Sequence, residues 1–182
     1  MINRRSAIQQ LFCISAGVLI IPSCLQDKSK SAILLKNMSI DATQEKLLEE
    51  LTETIIPATS TPGAKDIYAH LFALKMMDDC YKKEDRQKFL AGMEQFQKKT
   101  KKELNKSFAE ATPAQRQSFL KTIEANKESK DELAYFYNTT KRLTIQAYTT
   151  SEYYLTRVHV YEMVPSRYHG CIPVKSLNSK PS

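Results

Sequence analysis

The chain has 182 residues, enough for one domain but not for a second, catalytic one. Hydrophobic residues make up 42% and charged residues 26%, with 4 Gly and 7 Pro, which excludes a disordered chain and favours helices. The formal charge of +7 raises nucleic acid as a partner, but export and the mixing of signs along the chain, as in Lys82-Lys83-Glu84-Asp85-Arg86, argue against it.

Residues 1–23 read as a bacterial signal peptide, with Arg4 and Arg5 ahead of an uncharged apolar run over residues 11–21. That run is shorter than the roughly 20 residues a spanning helix needs. The arginine pair resembles a twin-arginine export signal, with a general secretory signal as the alternative reading. Ile20-Ile21-Pro22-Ser23-Cys24 resembles a lipobox, which makes Cys24 the expected acylated amino terminus of the mature chain. Residues 24–40 are polar enough to read as a tether, which leaves residues 41–182 for the folded part.

Five or six helices follow. The first is predicted over 43–56, with Asp41 as cap and Pro57 as stop, and the Pro- and Thr-rich PATSTPGAKD is a loop. Helices over 64–81 and 84–104 carry Ile67, Leu71, Leu74 and Met77, then Phe89, Met93 and Phe96, at helical spacing. The densest lysine cluster, Lys98, Lys99, Lys101 and Lys102, reads as a solvated helix face or as a surface for anionic headgroups. Thr112-Pro113-Ala114-Gln115 opens a fourth helix with Phe119, Leu120 and Ile123, and Ser129-Lys130-Asp131-Glu132 opens a fifth with Leu133, Phe136, Tyr137, Thr140 and Leu143. A further helical stretch is predicted over 151–160, and the tail VPSRYHGCIPVKS reads as an ordered loop. No window alternates at period two, so the expected class is all-α, one compact helical domain behind a signal peptide.

The chemistry-bearing residues are sparse. His70, His159 and His169 lack the spacing of a zinc site, and each reads as a surface or satisfied helix residue. Asp78 and Asp79 are adjacent and point to different faces of a helix, as polar residues near its end. With 4 glycines no dinucleotide-binding loop can form, so no cofactor is expected in this chain. Cys80 and Cys171 in an oxidising compartment suggest one disulfide, with two unlinked thiols as the alternative. Tyrosines concentrate in the carboxyl-terminal third, and Tyr153, Tyr154, Tyr161 and Tyr168, with Arg167, are the candidate partner-binding residues.

The segment ETIIPATSTPGAKD, followed in order by MMDDCYKKEDRQKFLAGM, TPAQRQSFL, LTIQAYTTSE and YEMVPSRYHGC, resembles the gluconate 2-dehydrogenase subunit 3 family. Ala147 and the Pro165-Ser166 pair depart from it, since glycine is frequent at the first position and after the proline. The resemblance implies a non-catalytic small subunit beside a glucose-methanol-choline-type flavoprotein that carries FAD, with a cytochrome c or another electron acceptor. It would act on the periplasmic face of a membrane, supporting export, folding or membrane placement of the large subunit. Two other readings stand beside it: a free-standing lipoprotein that binds a ligand or partner, and a small enzyme using the Cys80 thiol.

Overall fold

A computed structural model describes residues 33–125 and 131–159. Five α-helices and one π turn follow in order: α1 (Ala42–Ile55), α2 (Ala69–Cys80), α3 (Lys83–Leu104), α4 (Pro113–Ala125), α5 (Glu132–Thr149) and the π turn Tyr154–Val158. The described residues contain no strand, and the all-α expectation holds. No described helix is long and apolar enough to cross a membrane.

Each helix starts where the local chemistry allows it. Asp41 accepts from the Gln44 amide while the Gln44 side chain accepts from the Asp41 amide, so two orphan donors of the first turn are satisfied reciprocally. Thr112 and Gln115 form the same box ahead of α4. The fifth helix begins later than the Ser129 box implies, because Asp131 is the residue that caps it, accepting from the Ala134 amide.

The second helix is shorter than the predicted 64–81. Its expected first turn is diverted: the Ala64 amide donates to the Ile56 carbonyl at 2.8 Å, and Tyr68 adopts a left-handed φ of 54°. A non-glycine residue there costs energy and stops helix propagation toward the amino terminus.

Helices α3 and α5 pack antiparallel along the centre of the domain. Phe89 meets Phe136 at 4.9 Å between ring centroids, Gln95 donates to Glu132 at 2.7 Å, and Arg142 donates to the Tyr81 hydroxyl. The helices touch at Gly92, where an added Cβ would stand 2.0 Å from the Glu132 carbonyl oxygen and 2.7 Å from the Phe136 Cβ. Phe96 sits at the centre of the core, edge-on to Phe108, Phe119 and Phe136 at 5.1, 5.3 and 5.5 Å. Such pairs add roughly 0.5–1.5 kcal/mol beyond their area burial.

Residues 33–40, predicted as the end of a tether, instead form part of the fold. Met38 and Ile40 are 7% and 8% exposed, and Ile33 and Leu35 pack against the same core. The fixing group is Asp78 on α2, which is fully buried and accepts from the Lys36 and Asn37 amides, each at 2.7 Å. Asn37 returns a bond from its own amide side chain to the Asp78 carbonyl. Burial opposes the charge on this carboxyl, yet the backbone amides of residues 36–38 outweigh it and hold its pKa below the usual carboxylate range. Asp79 faces the other way and pairs with Lys75 on the surface, as adjacent helical positions require.

Candidate functional site

The loop over residues 57–68 is shaped by two carboxylates. Glu53, in the last turn of α1, accepts from the Ala58 amide at 2.8 Å and from the Lys65 amide at 3.0 Å, bracketing the loop from both sides. Asp66 accepts from the Gly63 amide at 2.8 Å. Gly63 lies so close to the backbone that a Cβ would stand 2.5 Å from the Ala58 nitrogen. Only glycine fits that approach.

Two segments far apart in sequence meet at this loop. Tyr148, near the end of α5, donates its hydroxyl to the Pro62 carbonyl at 3.1 Å. Ala147 is buried in a small cluster with Ala64 and Ala69, flanked by Ile56, Ile67 and Phe72. A small side chain at position 147 lets the end of α5 approach the loop closely.

After α5 the chain turns through Ser151, whose hydroxyl donates to the Tyr148 carbonyl at 2.7 Å and accepts from the Tyr154 amide at 3.2 Å. A π turn follows, closed by the His159 amide on the Tyr154 carbonyl at 2.7 Å. Single π turns recur at functional sites because they reset the direction of side chains.

Between the loop, α2, the end of α5 and the π turn lies an open cleft of about 760 Å³. Ile67, Phe72 and Ala147 supply apolar surface, while Asp66, Glu152 and Arg157 supply charges of both signs. Asp66 and Ser151 hold the Gly63 and Tyr154 amides and so help to shape the cleft wall. A mixed apolar and charged wall with exposed edges suits a polypeptide segment of a partner.

Of the sequence candidates, Tyr153 lines the cleft, and both Tyr153 and Tyr154 stack edgewise on Tyr148, at 6.5 and 6.3 Å. Tyr161, Arg167 and Tyr168 lie outside the described residues, as do Arg4, Arg5, Cys24 and Cys171. Cys80 is exposed at the end of α2, and its predicted partner Cys171 falls in the tail that is not described. His159 is exposed beside the Tyr154 ring. His70 departs from expectation: it is 6% exposed and its Nδ1 has no hydrogen-bond partner among the described residues. Burial pushes its pKa down, against the pull of Glu49 and Glu45.

Sequence reading missed Asp66, Glu152, Thr156 and Arg157 as cleft walls, and Glu53 as the organiser of the loop. The available signal was the carboxylate just ahead of a Pro- and Gly-rich loop, since such loops need acceptors for their free amides. A second ion network braces the other side of the same loop. Glu50 on α1 receives the Arg116 guanidinium and Lys65, while Arg116 also donates to the Phe108 and Ala109 carbonyls at 2.9 and 2.7 Å.

Comparison with known proteins adds one finding. The family model described as Gluconate 2-dehydrogenase subunit 3 matches residues 42–165, more than half of the chain, and the chain belongs to that family. Neither a search of curated proteins nor one of solved structures finds a match.

Proposed function

We propose that this member of the gluconate 2-dehydrogenase subunit 3 family is the non-catalytic small subunit of a membrane-associated gluconate or sugar dehydrogenase complex. Its partner is a glucose-methanol-choline-type flavoprotein that carries the FAD and oxidises the substrate, with a cytochrome c or another electron acceptor. The small chain leaves the cytoplasm on its own signal, with Arg4 and Arg5 as the address, and is anchored through acylated Cys24 on the periplasmic face. It supports export, folding or membrane placement of the flavoprotein. The observation that carries this reading is the family match over residues 42–165, because that span includes both segments that build the cleft.

The cleft is the proposed docking face. Tyr153 and Tyr154 are half-buried on Tyr148, so their rings are already ordered and lose little freedom on binding. Affinity capture of the full chain from its native membrane should bring down a flavoprotein with the visible spectrum of a bound flavin. Tyr153→Ala combined with Tyr154→Ala should weaken that capture about 30-fold, the effect of losing roughly 2 kcal/mol at an aromatic hot spot. Flavin absorbance or sugar-dependent turnover in the isolated chain would overturn the accessory role. So would normal export of active flavoprotein in a strain that lacks this chain.

A further inference from the structure

The end of α3 carries the densest run of positive charge among the described residues. Residues 98–106 read KKTKKELNK, with Lys98, Lys99, Lys101, Lys102 and Lys106 against the single carboxylate of Glu103. Lys98 and Lys99 are paired only through exposed contacts of 3.8 and 3.9 Å to Glu94 and Glu103, which bind weakly in water. Lys101 and Lys102 are exposed and form no ion pair among the described residues. Nearby Glu110 stays ionised, held by the Ser107 amide at 3.0 Å, and its charge acts on Lys106, so it offsets the Lys106 end of the cluster and leaves Lys101 and Lys102 as the uncompensated charges. Lys46, across a groove of about 660 Å³ from Lys101 and Lys106, is paired with Glu49 and Glu50, which it shares with Lys65 and Arg116.

The position of this cluster is as informative as its charge. Gln95 on α3 is level with Glu132 on α5, and the two helices are antiparallel. Lys101 and Lys102 therefore lie about 10 Å beyond that level in one direction, while Ala147 and the cleft lie about 20 Å beyond it in the other. The lysines and the cleft occupy opposite ends of the domain, roughly 30 Å apart.

We propose that the lysine end of α3 rests on an anionic lipid surface and so turns the cleft away from the membrane, toward a docked partner. This rests on the reading that the chain works at a membrane. Anionic lipid fits better than an acidic protein patch, because the cluster is all lysine. Lysine is a hydrated point charge suited to a diffuse layer of headgroups, and it lacks the fork that makes arginine the residue for paired carboxylates. The nine steps from Cys24 to Ile33, where the chain joins the core, can span about 30 Å, comparable with the separation of the lysines from the cleft.

The test uses the full chain carrying Cys24→Ser, so that acylation plays no part, and vesicles of phosphatidylcholine with or without phosphatidylglycerol. The readout is the ratio of binding to anionic over neutral vesicles, which cancels any contribution of the apolar residues 11–21. Lys101→Glu with Lys102→Glu should lower this ratio at least 30-fold, following about 1 kcal/mol per lysine near such a surface. A control with the same charge change at the other end of the helix, Lys82→Glu with Lys83→Glu, should stay within about threefold of the parent ratio, its charges lying some 30 Å from the surface at the far end of α3. Equal losses in the two variants would reduce the effect to net charge and overturn the proposal. An unchanged ratio in the first variant would also overturn it. If flavoprotein capture fails in that variant while vesicle binding persists, the cluster is a protein-docking face and the membrane assignment is wrong. Loss of membrane attachment on Cys24→Ser in cells tests the anchor separately and leaves the vesicle result standing.

Discussion

Removing the Asp78 carboxylate should undo the packing of residues 33–40 against the domain. In Asp78→Ala, two amides now bonded at 2.7 Å lose their acceptor within a buried site. Bonds to a charged acceptor contribute about 1.5–3 kcal/mol each, so leaving both amides in place unpaired costs about 3–6 kcal/mol. The alternative is for residues 33–40 to lift into water, which exposes Met38 and Ile40 at about 1.5–3 kcal/mol per side chain. Either route costs at least about 3 kcal/mol, and Asp78→Asn, which keeps one acceptor oxygen, should cost about 2 kcal/mol. Urea unfolding gives the free energies, and hydrogen exchange at the Lys36 and Asn37 amides reports the local release. The pH dependence carries a sign. The folded carboxyl has a depressed pKa, so its stabilisation is complete above the unfolded value near 3.9 and is lost as pH falls through the folded value. The gap between parent and Asp78→Asn should therefore narrow below about pH 4. A cost under about 1 kcal/mol for Asp78→Ala, with exchange at residues 36 and 37 unchanged, would refute the reasoning.

Gly92→Ala should destabilise the domain by about 3 kcal/mol in urea unfolding, because its Cβ meets the α5 backbone carbonyl of Glu132, which cannot swing aside as a side chain can. For His70, burial favours the neutral ring, so the folded state takes up its proton at a lower pH than the unfolded state. Stability should fall as pH drops below about 6.5, and unfolding between pH 7 and 5 should show a shallower loss in His70→Gln.

How much of this was legible in the sequence depended on how local the cause was. The α1 and α4 starts were readable because Asp41 with Gln44, and Thr112 with Gln115, settle their own helix ends within four residues. The apolar stripes of α3 and α4 were readable because Phe89, Met93, Phe96, Phe119, Leu120 and Ile123 repeat at helical spacing and are all buried. The tether boundary was not readable. Polarity in residues 24–40 suggested solvent, but a carboxylate some forty positions away supplies the acceptors that let residues 36 and 37 bury their amides. The start of α2 failed for a similar reason, since the amide of Ala64 is claimed by Ile56 rather than by its own helix.

The cleft shows the same limit from the functional side. Its two halves were visible as sequence segments, yet what joins them is the Tyr148 hydroxyl on the Pro62 carbonyl, 86 positions apart, and the packing of Ala147 on Ala64 and Ala69. The tyrosine count marked the end of α5 without distinguishing the hydroxyl that reaches the loop from the rings that stack on its own ring. Tyr148 holds the loop, whereas Tyr153 and Tyr154 stack upon it. Loss of the Tyr148 hydroxyl would loosen the loop beneath a docked partner, while loss of the two outer rings would remove contact area from an intact cleft. Ala147 belongs to the first kind: its 6% exposure under the loop makes it a spacer that sets how closely α5 can approach. A larger side chain there would widen the cleft from below, so the residues that set its shape are mostly ones a partner would never touch.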